Sequence, residues 1–177
     1  MKKEDLSESG RLQDYAVVRF ATHGALAGQV QGVDEPGLEL TPPASKITDG
    51  PALDRDDGFL TASEVASLKL DAQWVILSAC NSAGAAEGTA QPLSGLARAF
   101  FYAGARALLV SHWAVESDAA VELTTRAFAE LENDPKIGRS EAFRRSIRHL
   151  ILASRPANAH PSAWAPFAVV GEGAGQR

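Results

Sequence analysis

One thiol and four imidazoles are the side chains of this sequence best suited to nucleophilic and proton-transfer chemistry. The single cysteine, Cys80, follows the apolar run Trp74 to Ala79 (WVILSA) and precedes the polar turn Asn81-Ser82-Ala83-Gly84. His23 follows another apolar run, Tyr15 to Ala21 (YAVVRFA), within Thr22-His23-Gly24. A thiol with an ordinary pKa of about 8.5 is only slightly ionised at neutral pH, and a neighbouring imidazole raises its thiolate character or takes its proton. The same imidazole can then protonate a leaving amine. Gly24 lets a backbone amide approach an oxyanion with no side chain in the way, and the amide of Cys80 is a natural second donor. Structural roles compete with these. A free cysteine is often inert core, and a histidine at a strand end is often bonded to backbone. His112 competes with His23 as base, but strand alternation turns it to the face opposite Ser111 and Trp113. His149, on a helix, and His160, in a polar turn, are expected to be solvated.

Three further motifs carry less. Asp57-Gly58, Leu60 and Glu64 match the later part of a calcium-binding loop, but its first ligand positions would be Leu53 and Arg55, which cannot coordinate a hard cation. Gly84 to Gly88 is glycine-rich but lacks the Lys-Ser/Thr pair of a phosphate loop. Cys80-Asn-Ser82-Ala-Gly84 is similar to the elbow of serine hydrolases, with Cys in place of the leading Gly, which makes Ser82 the weaker nucleophile.

The elements that must position these groups follow from periodicity and caps. Four runs suit buried strands: Tyr15 to Ala21, Trp74 to Ala79, Ala107 to Trp113 and Trp164 to Val170. Thr61-Ala-Ser-Glu64 has capping-box spacing and opens a short helix, about 62–68. Pro92 and Gly104 bracket a helix over 92–103 with Leu93, Leu96, Ala97 and Phe100 on one face. Ser117 and Ser140 are expected N-caps of helices over 118–132 and 141–153, the latter with Phe143, Ile147, Leu150 and Ile151 on one face. Residues 28–58, rich in Pro, Gly and acidic side chains, fit no period and are expected to form a surface loop. Strands alternating with helices predict an α/β domain on a mainly parallel sheet covered on both faces. In such a sheet, ligands gather past the carboxyl ends of the strands, where Thr22-His23-Gly24, Cys80 and Ser111-His112-Trp113 all arrive.

Composition narrows the function classes. With 177 residues, 45% hydrophobic and 22% charged, the chain has the balance of one globular domain. A net charge of -5 offers no electrostatic footprint for nucleic acid or an anionic membrane surface. No apolar stretch reaches the roughly 18 residues of a membrane span, the start MKKEDLSESG lacks a signal-peptide run, and one thiol cannot form an intrachain disulfide. A reducing, cytoplasmic compartment is expected.

The stretches RFATHGAL, DDGFLTASEVASLKL, WVILSACNSAGA, PLSGLARAFFYAGARALLVSHWAV and HPSAWAPFAVVGEG together resemble those of CHAT domains, caspase-like modules often attached to tetratricopeptide repeats and akin to caspases and separases. The resemblance implies a caspase-like three-layer α/β/α sandwich with an antiparallel last strand, about four strands of it in this chain. It implies cysteine endopeptidase chemistry through a dyad of His23 and Cys80, a protein or peptide substrate, and neither metal nor organic cofactor. A substrate would lie extended beside the third strand at Ser111 and Trp113, with Ser78 lining the primary pocket. Glu116 and Asp118 would flank the position, Ser117, where the family often has an acidic residue. Relative to the family, the N-terminal part of the domain is expected to be missing: residues 1–14 form an extension, 15–173 the domain and 174–177 a tail. The edge beside strand 15–21 would then be open to a second copy or to a missing N-terminal segment, and a tetratricopeptide-repeat partner is a further expectation. The alternative function is a catalytically weak or inactive caspase-like interaction module.

Overall fold

The structure, a computed structural model, describes residues 6, 11–41, 57–77, 95–113, 117–153 and 155–175. A single 3-10 turn, Arg11–Asp14, leads into strand β1 (Val17–Phe20), which pairs in parallel with β5 (Trp74–Leu77). Strand β5 pairs in parallel with β6 (Ala107–Ser111), and β6 pairs antiparallel with β7 (Phe167–Gly171), giving the order β1-β5-β6-β7. The mainly parallel four-stranded sheet with an antiparallel last strand is the predicted one.

Burial explains why its central strands read as unbroken apolar runs. Every residue of β5 and β6 is buried, because both faces are covered. On one face Val18, Phe20, Val75, Leu77, Leu108 and Val110 pack against helices α1 (Ala62–Ser67) and α2 (Gly95–Tyr102). On the other, Trp74, Ile76, Ala107 and Leu109 pack against α3 (Ser117–Asn133) and α4 (Arg139–Ala153). Two short helices, α5 (Pro156–Ala159) and α6 (Pro161–Trp164), complete the second layer. Strand β1 alternates exposed and buried residues and, among the described residues, forms one edge of the sheet. Leu6 is buried in the first core and Leu12 packs against it, so part of the segment before Tyr15 contributes to that core.

The caps act as the sequence predicts in two places. The Thr61 hydroxyl accepts from the Glu64 amide while the Glu64 carboxylate accepts from the Thr61 amide, a complete capping box. Gly104 ends α2 with φ +107°; its amide donates to Phe101 and the next amide, Ala105, to Phe100, the two bonds of a Schellman motif.

Four expectations are corrected. Residues 28–58 are not simply a loop: Gly37–Glu39 forms β3, which joins β2 (Gly24–Ala25) and β4 (Phe59–Thr61) in a separate antiparallel sheet ordered β2-β3-β4. Ser140 is not an N-cap but lies inside α4, its amide donating to the Gly173 carbonyl. Ile151, eight residues after Phe143, falls at the margin of the apolar stripe and is 40% exposed, whereas Phe143 and Leu150 are buried. The last strand begins at Phe167; Trp164 belongs to α6, where its indole N–H donates to the Ala159 carbonyl.

Candidate active site

The chain leaves β1 at Phe20 and passes through Ala21, Thr22 and His23 before Gly24 enters β2. This places His23 at the carboxyl end of the main sheet, at the junction with the small one. Its side chain is exposed. Its backbone is not free: the His23 carbonyl accepts from the Glu39 amide at 2.9 Å, and the Thr22 hydroxyl donates to the Glu39 carbonyl. Gly24 then pairs with Leu38 and Ala25 with Gly37. Thr22 and His23 line a cleft of about 610 Å³ with Arg19, Phe20, Glu39 and Leu40.

The frame around Glu39 is closely packed and hydrogen-bonded. A Cβ on Gly37 would lie 2.5 Å from the Leu60 carbonyl oxygen, so β3 and the strand beside it approach closely only because glycine stands there. The Leu40 amide donates to the Gly58 carbonyl at 2.7 Å, and the Ala62 amide to the Pro36 carbonyl at 2.9 Å. Glu35 accepts from both the amide and the hydroxyl of Ser63, each at 2.8 Å, which fastens the segment to the first turn of α1. Sequence reasoning missed this clamp: strands of two or three residues carry no period, and their partners lie far away along the chain.

Cys80 and Ser78 lie outside the described residues, as do Ser82 and Glu116; β5 is described to Leu77. Ser111 is the last residue of β6, buried and paired with Phe167 of β7, so its β7 side is occupied. Trp113 lies beyond the strand and is 45% exposed, which makes it the accessible member of that pair. His112 is exposed, its amide donating to the Pro166 carbonyl. His149 is half-buried on α4. His160 is structural, since its Nδ1 accepts from the Ser162 amide at 3.2 Å and caps α6. The fragment similar to a calcium loop is also structural. Asp57 accepts from the Phe59 amide at 2.9 Å, Leu60 is buried, and Glu64 closes the capping box. Among the described residues no helix is long and apolar enough to cross a membrane.

An exposed imidazole such as that of His23 can take the proton of a thiol brought beside it. Comparison with known proteins points to one family. The profile described as CHAT domain matches residues 1–172. Tetratricopeptide repeat protein 28 of Mus musculus is 34% identical over 115 residues, which make up 64% of this chain and 4% of that protein. Tetratricopeptide repeat protein 28 of Homo sapiens is 33% identical over 125 residues, 71% of this chain and 5% of that protein. The matches thus span about one twentieth of the length of these relatives.

Proposed function

Because the chain belongs to the CHAT domain family, a caspase-like peptidase family, we propose that it is a cysteine endopeptidase acting through His23 and Cys80. One observation carries this reading. In the parallel pairing of β1 with β5, Phe20 is matched with Leu77, and three residues onward in each strand's direction stand His23 and Cys80. Base and nucleophile therefore follow one paired position by the same number of residues along the sequence, on the carboxyl side where an open sheet gathers its chemistry.

His23 takes the proton of the Cys80 thiol, and the sulfur attacks a peptide carbonyl. The amides of Gly24 and Cys80 donate to the oxyanion. Collapse of the tetrahedral adduct breaks the C–N bond, and His23 gives its proton to the departing amine. Water, deprotonated by His23, then cleaves the thioester, releasing the acid and restoring the thiol. The exposed Trp113 contacts an extended substrate, and Ser78 lines the primary pocket. No cofactor enters the reaction. A reducing, cytoplasmic setting keeps the one thiol available.

Alkylation by iodoacetamide reports on Cys80 alone, since the chain has one cysteine. At pH 7, Cys80 is expected to react about fivefold to twentyfold faster than a model thiol, an excess that His23→Ala removes. A rate that ignores His23→Ala refutes the dyad. Terminal-peptide mass spectrometry of lysate treated with wild type or Cys80→Ala then identifies substrates.

The edge position of β1, with Tyr15 and Val17 exposed, supports the second reading of an interaction module that adds a strand from a partner. The names of the relatives make a tetratricopeptide-repeat protein the first partner to try. Equal partner capture by wild type and Cys80→Ala, with no cleavage of that partner, favours the module.

A further inference from the structure

We propose that Thr22 is a positioning residue for the His23 imidazole, acting through Glu39; the inference rests on the dyad proposed above. His23 is exposed, on a segment between two sheets, so its ring is only as well placed as the backbone that carries it. That backbone is held at two points of one residue. The Glu39 amide donates to the His23 carbonyl at 2.9 Å, and the Glu39 carbonyl accepts from the Thr22 hydroxyl. The N–H and C=O of a strand residue point to the same side, so consecutive residues, Thr22 and His23, are gripped from one side of β3. The hydroxyl extends the β2–β3 pairing, which otherwise runs through Gly24 with Leu38 and Ala25 with Gly37.

A grip is only useful if the gripping residue is itself fixed. Glu39 is matched with Phe59 in β4, the next amide along, Leu40, donates to the Gly58 carbonyl, and Glu35 ties the start of the segment to Ser63 on α1. The clamp thus refers the position of His23 to the helix layer packed on the main sheet. Without the Thr22 hydroxyl, the short stretch between the end of β1 and the β2 pairing is held to Glu39 by the His23 carbonyl alone, and its Thr22 end is free to shift. Displacing a catalytic group by an ångström costs on the order of a hundredfold in rate, whereas one exposed hydrogen bond contributes about 1 kcal/mol or less to stability. Loss of Thr22 therefore acts on the chemistry more than on the fold.

The test uses the full chain and iodoacetamide, with the alkylation rate of Cys80 measured from pH 5 to 10 in wild type, Thr22→Val, Thr22→Ser and His23→Ala. Thr22→Val keeps the shape and removes the donor; Thr22→Ser keeps the donor. The expected result is that Thr22→Val is about fivefold to tenfold slower at pH 7, with its pH profile moved toward that of an ordinary thiol. Thr22→Ser stays within about twofold of wild type, and melting falls by only a few degrees in either. Thr22→Ala repeats the measurement if Thr22→Val does not fold. Wild-type rates and profile in the variant lacking the hydroxyl, beside a slow His23→Ala, overturn the role of Thr22 and leave the dyad standing. A His23→Ala variant as fast as wild type overturns both.

Discussion

The turn between α2 and β6 gives a sharp test of how the scaffold is built. Gly104 has φ +107°, beyond the left-handed helical region that other residues tolerate, and a Cβ there would lie 2.1 Å from the Leu70 carbonyl oxygen. Leu70 is buried, and its amide donates to the Ala103 carbonyl at 2.7 Å, so neither side of the contact is a flexible side chain that can swing away. Gly104→Ala therefore adds about 1–3 kcal/mol of backbone strain. It also costs about 1 kcal/mol for a disturbed hydrogen bond and further packing loss where Leu70, Ala103 and Ala105 meet in the first core. The total is about 3–5 kcal/mol, equivalent to a melting temperature lower by roughly 6–20 °C for a chain of this size. Gly28→Ala is the control: its φ is +77°, and nothing lies within 4 Å of the added methyl, so only the strain of about 1–2 kcal/mol is expected. Urea and thermal unfolding of the two variants separate close approach from backbone strain. If Gly104→Ala loses no more stability than Gly28→Ala, the packing of the α2–β6 turn on Leu70 carries no weight.

Thr61→Ala removes the acceptor of the Glu64 amide and half of the capping box, and is expected to cost about 1 kcal/mol in urea unfolding, with faster amide exchange at Glu64. Hydrogen bonds from Arg144 and then Arg145 hold the exposed Glu141 carboxyl down to about 2, below its ordinary 4.5. Its stabilisation is complete above the unfolded value and is lost as pH falls from about 4.5 through 2. Melting curves of wild type and Glu141→Gln should therefore differ slightly at pH 6 and low salt, draw together as pH falls below the unfolded value, and converge below pH 2; a gap that widens on acidification contradicts the pairing.

The parts of the fold legible in the sequence were those decided locally or by full burial. Strands β5 and β6, covered on both faces, had to be apolar throughout, and Thr61, Glu64 and Gly104 announced helix ends by backbone requirements of their own. The small sheet was illegible because its strands are specified by distant groups, such as Glu35 reaching Ser63. Ser140 misled for a related reason: its amide is taken up by the Gly173 carbonyl, so no cap was required there. At the proposed site, the rule that chemistry gathers at the carboxyl edge points to His23, but the hydroxyl one residue before it carries no sequence signal, since its partner is a main-chain carbonyl in β3. The roles proposed for Cys80 and Ser78 rest on the sequence and the family.

The antiparallel docking of β7 on β6 has a consequence for how the chain folds during synthesis. The α3–α4 pair is built from neighbouring segments and can associate early, whereas β1 must wait for β5 and β6 must wait for β7. Until residues 167–171 emerge, the outer edge of β6, wholly apolar from Ala107 to Val110, has no strand along it. Such an edge is a template for intermolecular pairing, so aggregation during expression should be most sensitive to changes that slow the arrival or weaken the hold of this last strand. The Arg139 guanidinium donating to the Glu172 carbonyl at 2.9 Å and the Ser140 amide donating to the Gly173 carbonyl at 3.0 Å latch the end of that strand to α4. They act as late-forming guards of solubility as well as contacts of the finished domain.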